Sequence, residues 1–592
     1  MLLKNKNWKL YTEIALIALI FILGVYVRMT HLTSYPPGLY PDEAMNTTDG
    51  LQTAEAGGWK LFYENNQGRE GLYMNILGYL LHWFGASSLF IVRFLPALIG
   101  SLTLPAVYLL GRRLAGRFGG LIALAFISFS FWHINFSRVG FRAILMTLLT
   151  AWAFYFLVEG FYRLVYQRKG ALKCSKNKKD CAQIEKISWK TCLFFALGGL
   201  FLGLSLHTYI AVRVSPLVVF VLWAVVMMLF SNFIKDSLKM LLVTAIFGFI
   251  TAFPMLYDFA VNPLHFSGRS SNVSVMSSPN VMLELGKSVS LTLASFVFYG
   301  DQNLRHNYPA LPLLPPVIGF VLFGSIIFGL IYFFKEAFKR FFRKEKFDAE
   351  KNNHQKWQAV AWIFLIAWWF CLLLPSMLTR EGLPHALRSI GSLVPTFLLL
   401  GMVAQYLARR KPVKIAFFFL VLTHALLNVY IYFFVWGKNI YTYGAFEHRL
   451  SGIGAYLNDE AKNNPSTNLY IIANQDAVKT DANLPVSMEP IRFFSWNYRD
   501  KIHYVLPTDF DFKNIALPAK VVFQLDDPNL VTQGRKVYPE AKFVRVKIGP
   551  KRVDDPVSFQ DKLIYYGADR PEGIFHPEIQ TNSYFTYLEI ND

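Results

Sequence analysis

The chain has 592 residues, 54% of them hydrophobic and only 17% charged, with a formal net charge of +20. Soluble domains carry about 45–50% apolar residues, so the composition excludes an ordinary soluble enzyme and points to a membrane protein of many spans. The positive charge sits in clumps at the ends of apolar runs, which the positive-inside rule explains without a nucleic-acid partner.

Lys4, Lys6 and Lys9 precede an apolar run at 10–27. The run is long for a signal-peptide core and no small-residue cleavage site follows, so it reads as a retained first span running from the cytoplasm outward. Further candidate spans lie at 89–110, 121–134, 143–161, 193–209, 214–230, 240–256, 317–334, 359–374, 390–406 and 413–436. The total is about eleven, several of them shorter than the ~20 residues that a crossing helix needs. With that count the basic clumps at Arg112/Arg113/Arg117, Arg163 to Lys179, Lys235/Lys239, Lys335 to Lys346 and Arg409 to Lys414 all fall on the cytoplasmic side. The stretches 71–86 and 281–299 are apolar but interrupted by Asn75, His82, Glu284 and Lys287. Counting the first as a span would turn the Arg112 clump outward, so both are read as helices at the outer interface.

The fold expected is therefore a polytopic α-helical membrane domain over 1–437, with 28–86 its first outer loop, followed by an extracytoplasmic α/β domain over 438–592. Within the latter, strands are expected at 468–473, 501–506, 519–525, 541–548 and 562–566, and helices at 446–462 and 529–538. The expected location is the cytoplasmic (inner) membrane, N-terminus inside. Cys174, Cys181, Cys192 and Cys371 imply neither a disulfide framework nor a four-ligand zinc site.

The outer segments carry the chemistry. Tyr40-Pro41-Asp42-Glu43 puts adjacent acids beside a membrane surface, where partial desolvation suits a general base. The same residues suit a helix N-terminus, and both can hold, because a helix start is a rigid mount. Asn65 to Gly71, including Glu70, is a polar run that reads equally as a solvated turn. In Ser137-Arg138-Val139-Gly140-Phe141-Arg142, Arg138 and Arg142 lie at i, i+4 on the disfavoured side for positive charge; they suit either phosphate oxygens or lipid headgroups. Gly300 to Pro309 packs Asp301, Asn303, Arg305 and His306 into one short segment, a hydrogen-bonding site or a self-satisfied cap. Arg380, His385 and Arg388 again gather positive charge outside, as a phosphate ligand would require. Together the loops suit a substrate with an anionic head and a lipid tail.

These residues resemble the GT-C fold glycosyltransferases, in particular the protein O-mannosyltransferases and bacterial aminoarabinose transferases, over about residues 10–435. The resemblance rests on the Asp42-Glu43 motif in the first outer loop, the interfacial helices there and the many spans. The segments Gly300-Asp301-x-Asn303-x-Arg305-His306-Asn307 and Pro384-His385-Ala386-Leu387-Arg388-Ser389-Ile390-Gly391 are similar to runs in bacterial members. It implies inverting transfer of a hexosyl or pentosyl group from a polyprenyl-phosphate sugar to a protein or lipid/glycan acceptor, with Asp42 as general base and Glu43 supporting it. The later Arg and His residues would then hold phosphate, and Asp301, Asn303 and His306 would shape the sugar site. Where mannosyltransferases usually carry His-Pro-Pro or Lys-Pro-Pro, this chain reads Gly68-Arg69-Glu70-Gly71, which leaves sugar and acceptor open. A divalent metal is also left open, since some relatives use one and others do not. The rival readings are a lipid-substrate transporter or flippase, which would need polar groups near the midplane, and a non-catalytic envelope assembly factor.

Overall fold

A computed structural model describes residues 2–173, 187–230, 234–342, 349–474, 478–480, 483–548 and 584–591. Helix α1 (Leu2–Met29) leads into a loop holding α2 (Pro41–Glu55), the antiparallel pair β1 (Phe62–Tyr63) and β2 (Arg69–Glu70), and α3 (Leu72–Phe84). The bundle continues with α4 (Leu89–Leu114), α5 (Arg117–Phe129), α6 (Phe131–Phe136), α7 (Ala143–Lys173), α8 (Trp189–Ser205), α9 (Ser215–Leu229) and α10 (Ile234–Val261). After α11 (Pro263–Val273) and α12 (Val281–Ala294) come α13 (Pro316–Phe342), α14 (Ala349–Cys371), α15 (Leu374–Met377), α16 (Leu393–Leu407) and α17 (Lys411–Tyr430).

Among the described residues, 9 helical stretches are long and apolar enough to cross a bilayer. The other two expected spans are present as shorter apolar helices, Arg117–Phe129 and Trp189–Ser205. At 13 residues α5 rises only about 20 Å. Ser130, extended at ψ 127°, ends it, and α6 continues the path into the loop beyond. The interrupted stretches are the short α3 and α12, of 13 and 14 residues, neither long enough to span.

The charged groups divide between the two ends of the bundle. At one end Arg113 and Arg163 share Glu159, and Arg117 meets Glu13 at 3.1 Å. At the other end α2, the α6–α7 turn and the segments 300–309 and 379–388 converge. Asn46 donates to Gly140 O at 3.0 Å, Asn135 to Arg305 O at 2.8 Å, and Ala386 N to Asp301 at 2.8 Å.

The C-terminal region begins with α18 (Ile440–Ala445) and α19 (His448–Asn463). It continues through β3 (Asn468–Ile472), α20 (Glu489–Phe494), β4 (Ile502–Val505), β5 (Ala519–Phe523), α21 (Pro528–Val537), β6 (Lys542–Lys547) and β7 (Tyr584–Ile590). The sheet order is β4-β3-β5-β7-β6, with β3 parallel to β4 and β5, and β7 antiparallel to β5 and β6. The sequence signals miss β7. It lies between two strands with Phe585, Thr586, Tyr587 and Leu588 all buried, so it shows no alternation of polar and apolar residues. The expected strand at 562–566, like Cys174 and Cys181, falls outside the described residues.

The sheet region presses onto α2. Thr48 Oγ1 donates to Glu489 Oε2 at 2.6 Å, Trp496 Nε1 to Glu55 Oε1 at 2.8 Å, and Leu39 N to Ser451 Oγ at 2.9 Å.

Candidate active site

Helix α2 starts at Pro41, whose missing N–H costs nothing in a first turn, and places Asp42 and Glu43 at the positive end of the helix dipole. The two acids then separate. Glu43 is fully buried: Oε1 accepts from Gly140 N at 2.5 Å, and Oε2 pairs with Arg93 at 3.1 Å and accepts from Tyr40 N at 3.4 Å. Burial pushes its carboxyl above the usual range, more than Arg93 and the Gly140 amide pull it down. Arg93 also donates to Arg138 O at 2.7 Å and Gly38 O at 2.8 Å, so one guanidinium ties α4, the α6–α7 turn and the entry to α2 together. Asp42 is only half-buried and accepts from Asn66 Nδ2 at 2.9 Å. Among the described residues, no Lys or Arg forms a salt bridge with Asp42.

The remaining first-loop charges hold the loop. Arg69 pairs with Asp49 and donates to Asn46 Oδ1 at 2.8 Å. Glu70 bridges Arg142 at 3.3 Å and Arg213 at 3.2 Å, so both arginines already face a carboxylate. Arg138 departs furthest from a phosphate ligand. It is fully buried and donates to the carbonyls of Val27, Arg28, His31 and Tyr35 at 2.8–3.2 Å, closing the C-terminal end of α1.

The segments 300–309 and 379–388 meet at Asp301. Its Oδ1 accepts from Asn303 N at 2.8 Å, and its Oδ2 from Ala386 N at 2.8 Å and His306 Nδ1 at 3.0 Å. His385 Nδ1 lies 3.8 Å from the same oxygen. Asn303 Oδ1 accepts from Arg305 N at 3.1 Å, shaping the turn that aims Arg305 at the first loop. The Arg305 guanidinium lies 3.9 Å from the Tyr40 ring centroid. Tyr40 contacts Phe141, with centroids 6.1 Å apart, and Phe141 contacts His306 at 5.7 Å. Asp42, Tyr40, Arg305 and His306 therefore line one region at one end of the bundle. Arg380 is exposed, and Arg388 donates to Glu381 O at 2.6 Å. A separate, mostly apolar cavity of about 250 Å³ lies beside α3, lined by Trp59, Lys60, Leu72, Leu204, His207 and Pro254 among others.

Sequence reasoning passed over Arg93 and placed Asn66 only within the polar run 65–71. Arg93 had a signal: a lone arginine inside an apolar run is costly unless it has a partner. Within that run nothing local singles out the Asn66 contact with Asp42 until the loop folds back.

No family model matches the chain, and no curated protein matches it in sequence. Among solved structures it is similar to the oligosaccharyltransferase AglB from Archaeoglobus fulgidus, in complex with an inhibitory peptide and a dolichol-phosphate. There the TM-score is 0.46 at 13% identity, covering 82% of this chain and 64% of that one. It is also similar to ArnT from Cupriavidus metallidurans bound to undecaprenyl phosphate (TM-score 0.46, 13% identity, 98% of each chain) and to apo ArnT (TM-score 0.43, 12% identity, 99% and 98%). This chain spans 64% of the length of that AglB chain.

Proposed function

We propose that this protein is a membrane glycosyltransferase that moves a sugar from a polyprenyl-phosphate donor to a hydroxyl or other nucleophile of a protein, lipid or glycan acceptor at the outer face of the cytoplasmic membrane. The observation that carries the reading is Asp42. It is a half-buried carboxylate with no Lys or Arg salt bridge among the described residues, held by Asn66, with Arg305 stacked on the ring of Tyr40 two residues before it.

In this reading Asp42 accepts the proton of the acceptor O–H as that oxygen bonds to the anomeric carbon. The anomeric carbon–phosphate oxygen bond breaks, its electron pair leaves with the lipid phosphate, and the sugar configuration inverts. Arg305 faces the charge that grows on the leaving phosphate, where a fixed cation stabilises the transition state more than the ground state. Glu43 takes no proton in the reaction. It positions Asp42 through Arg93 and Gly140. The apolar cavity beside α3 offers a wall for an isoprenoid chain.

Asp42→Asn keeps the Asn66 contact and removes the base. Transfer from a polyprenyl-phosphate sugar by the purified variant is expected to fall about 10³-fold, the scale of a lost general base. A folded Asp42→Asn protein that transfers at the wild-type rate would end the assignment.

A further inference from the structure

Asp301, His306 and His385 come from two separate segments, yet one ligand atom from each lies within 4.8 Å of the others. Asp301 is 4% and His306 6% exposed. Among the described residues, the salt bridges of Asp301 are to these two histidines alone. A buried carboxylate needs a compensating positive charge. The two imidazole rings stack 4.7 Å apart at 28°, with the Nδ1 atoms of both turned toward the same carboxylate oxygen. One dication held by two neutral imidazoles and one carboxylate supplies that charge.

The two separations from Asp301 suit such an ion. Bonds of about 2.0–2.1 Å put neighbouring tetrahedral ligands about 3.4 Å apart. Asp301 Oδ2 lies 3.0 Å from His306 Nδ1 and 3.8 Å from His385 Nδ1, bracketing that value. Two nitrogens and one oxygen select a first-row transition metal over calcium or magnesium, which prefer all-oxygen shells. Three protein ligands leave a coordination position open.

We propose that Asp301, His306 and His385 bind one divalent transition-metal ion of the zinc type, which ties the 300–309 segment to the 379–388 segment beside Arg305. The open position takes an anionic oxygen. That this oxygen belongs to the leaving phosphate rests on the transfer reaction proposed above; the metal site itself does not.

The test reads metal rather than transfer, so the two proposals fail separately. The full chain, purified in detergent and stripped with a chelator, is titrated with Co²⁺ as a visible probe and then with Zn²⁺. The expected result is uptake of about one Co²⁺ per chain with d–d absorption bands, displaced by Zn²⁺. Uptake is expected to vanish in Asp301→Asn and His385→Ala. Should Asp301→Asn not fold, His385→Ala decides, because its ring is only half-buried and its unfolding temperature reports integrity. A wild type that takes up no more Co²⁺ than folded His385→Ala overturns the site, whatever the transfer activity.

Discussion

Arg93 and Arg138 are arginines without a free face, and they set the geometry of a site that neither is free to touch. Arg93 carries the only full charge paired with the buried Glu43 among the described residues, while Arg138 satisfies the carbonyls left open where α1 ends. Orphaned buried carbonyls cost about 1–3 kcal/mol each. Arg138→Ala is therefore expected to lower stability by at least about 3 kcal/mol, seen as a fall in unfolding temperature in detergent. A merely phosphate-binding Arg138 would instead raise KM for the donor and leave the unfolding temperature alone. At this scale the sequence showed Asp42 and Glu43 as a pair. Only burial distinguished the half-buried Asp42 from the fully buried Glu43.

The element that matters most is α2, because Asp42 rides on its first turn. It is fixed from two sides. On one side Gly50 and Gly78 let α2 and α3 touch backbone to backbone: a Cβ on Gly78 would fall on Gly50 O, and one on Gly50 on Met74 O. Gly78→Ala must push the helices apart, at a cost of about 1–3 kcal/mol by the usual overpacking penalty. It is expected to lower transfer activity as well as unfolding temperature, although it touches no substrate. On the other side α20 grips α2 through Glu489 and Thr48. Burial holds the Glu489 carboxyl above its ordinary value of 4.5, with Arg492 and Thr48 countering only in part. The folded chain keeps this proton at pH values where the unfolded chain has released it. The resulting stability is complete below the ordinary glutamate value and is lost as pH rises through the raised one. Glu489→Gln is expected to flatten the fall in unfolding temperature as pH rises from about 4.5 toward neutrality. Glu43 and Glu447, also raised by burial, keep the remainder of the slope.

For the whole molecule, the eleven expected spans correspond to the 9 long apolar helices and the two shorter ones, α5 and α8. The basic groups on Arg113, Arg117 and Arg163 gather at the end opposite Asp42 and Asp301. If the positive-inside rule sets the orientation, the Asp42 end faces outward. A cysteine placed at the exposed Glu381 is expected to react with a membrane-impermeant thiol reagent on intact cells, whereas one at Arg112 reacts only after lysis. The reverse pattern would put the site and the C-terminal sheet in the cytoplasm.

The sequence by itself determined the spans, their alternation and most of the C-terminal elements, because each follows from a local property: an apolar run, a charge at its end, a β-rich stretch. It also named Asp42, Asp301, His306 and His385 as residues worth watching. It left the interior strand β7 unseen, since burial on both faces erases the local pattern. Partners were decided by tertiary structure alone. Arg138 turned inward to α1, Arg142 and Arg213 closed on Glu70, and Asp301 drew together two histidines 79 positions apart in the chain, from 306 to 385. Hydrogen bonding and charge pairing are contacts in space. Only when α2 and the segments 300–309 and 379–388 meet at one end of the bundle does the acidic pair become one half-buried and one fully buried carboxylate.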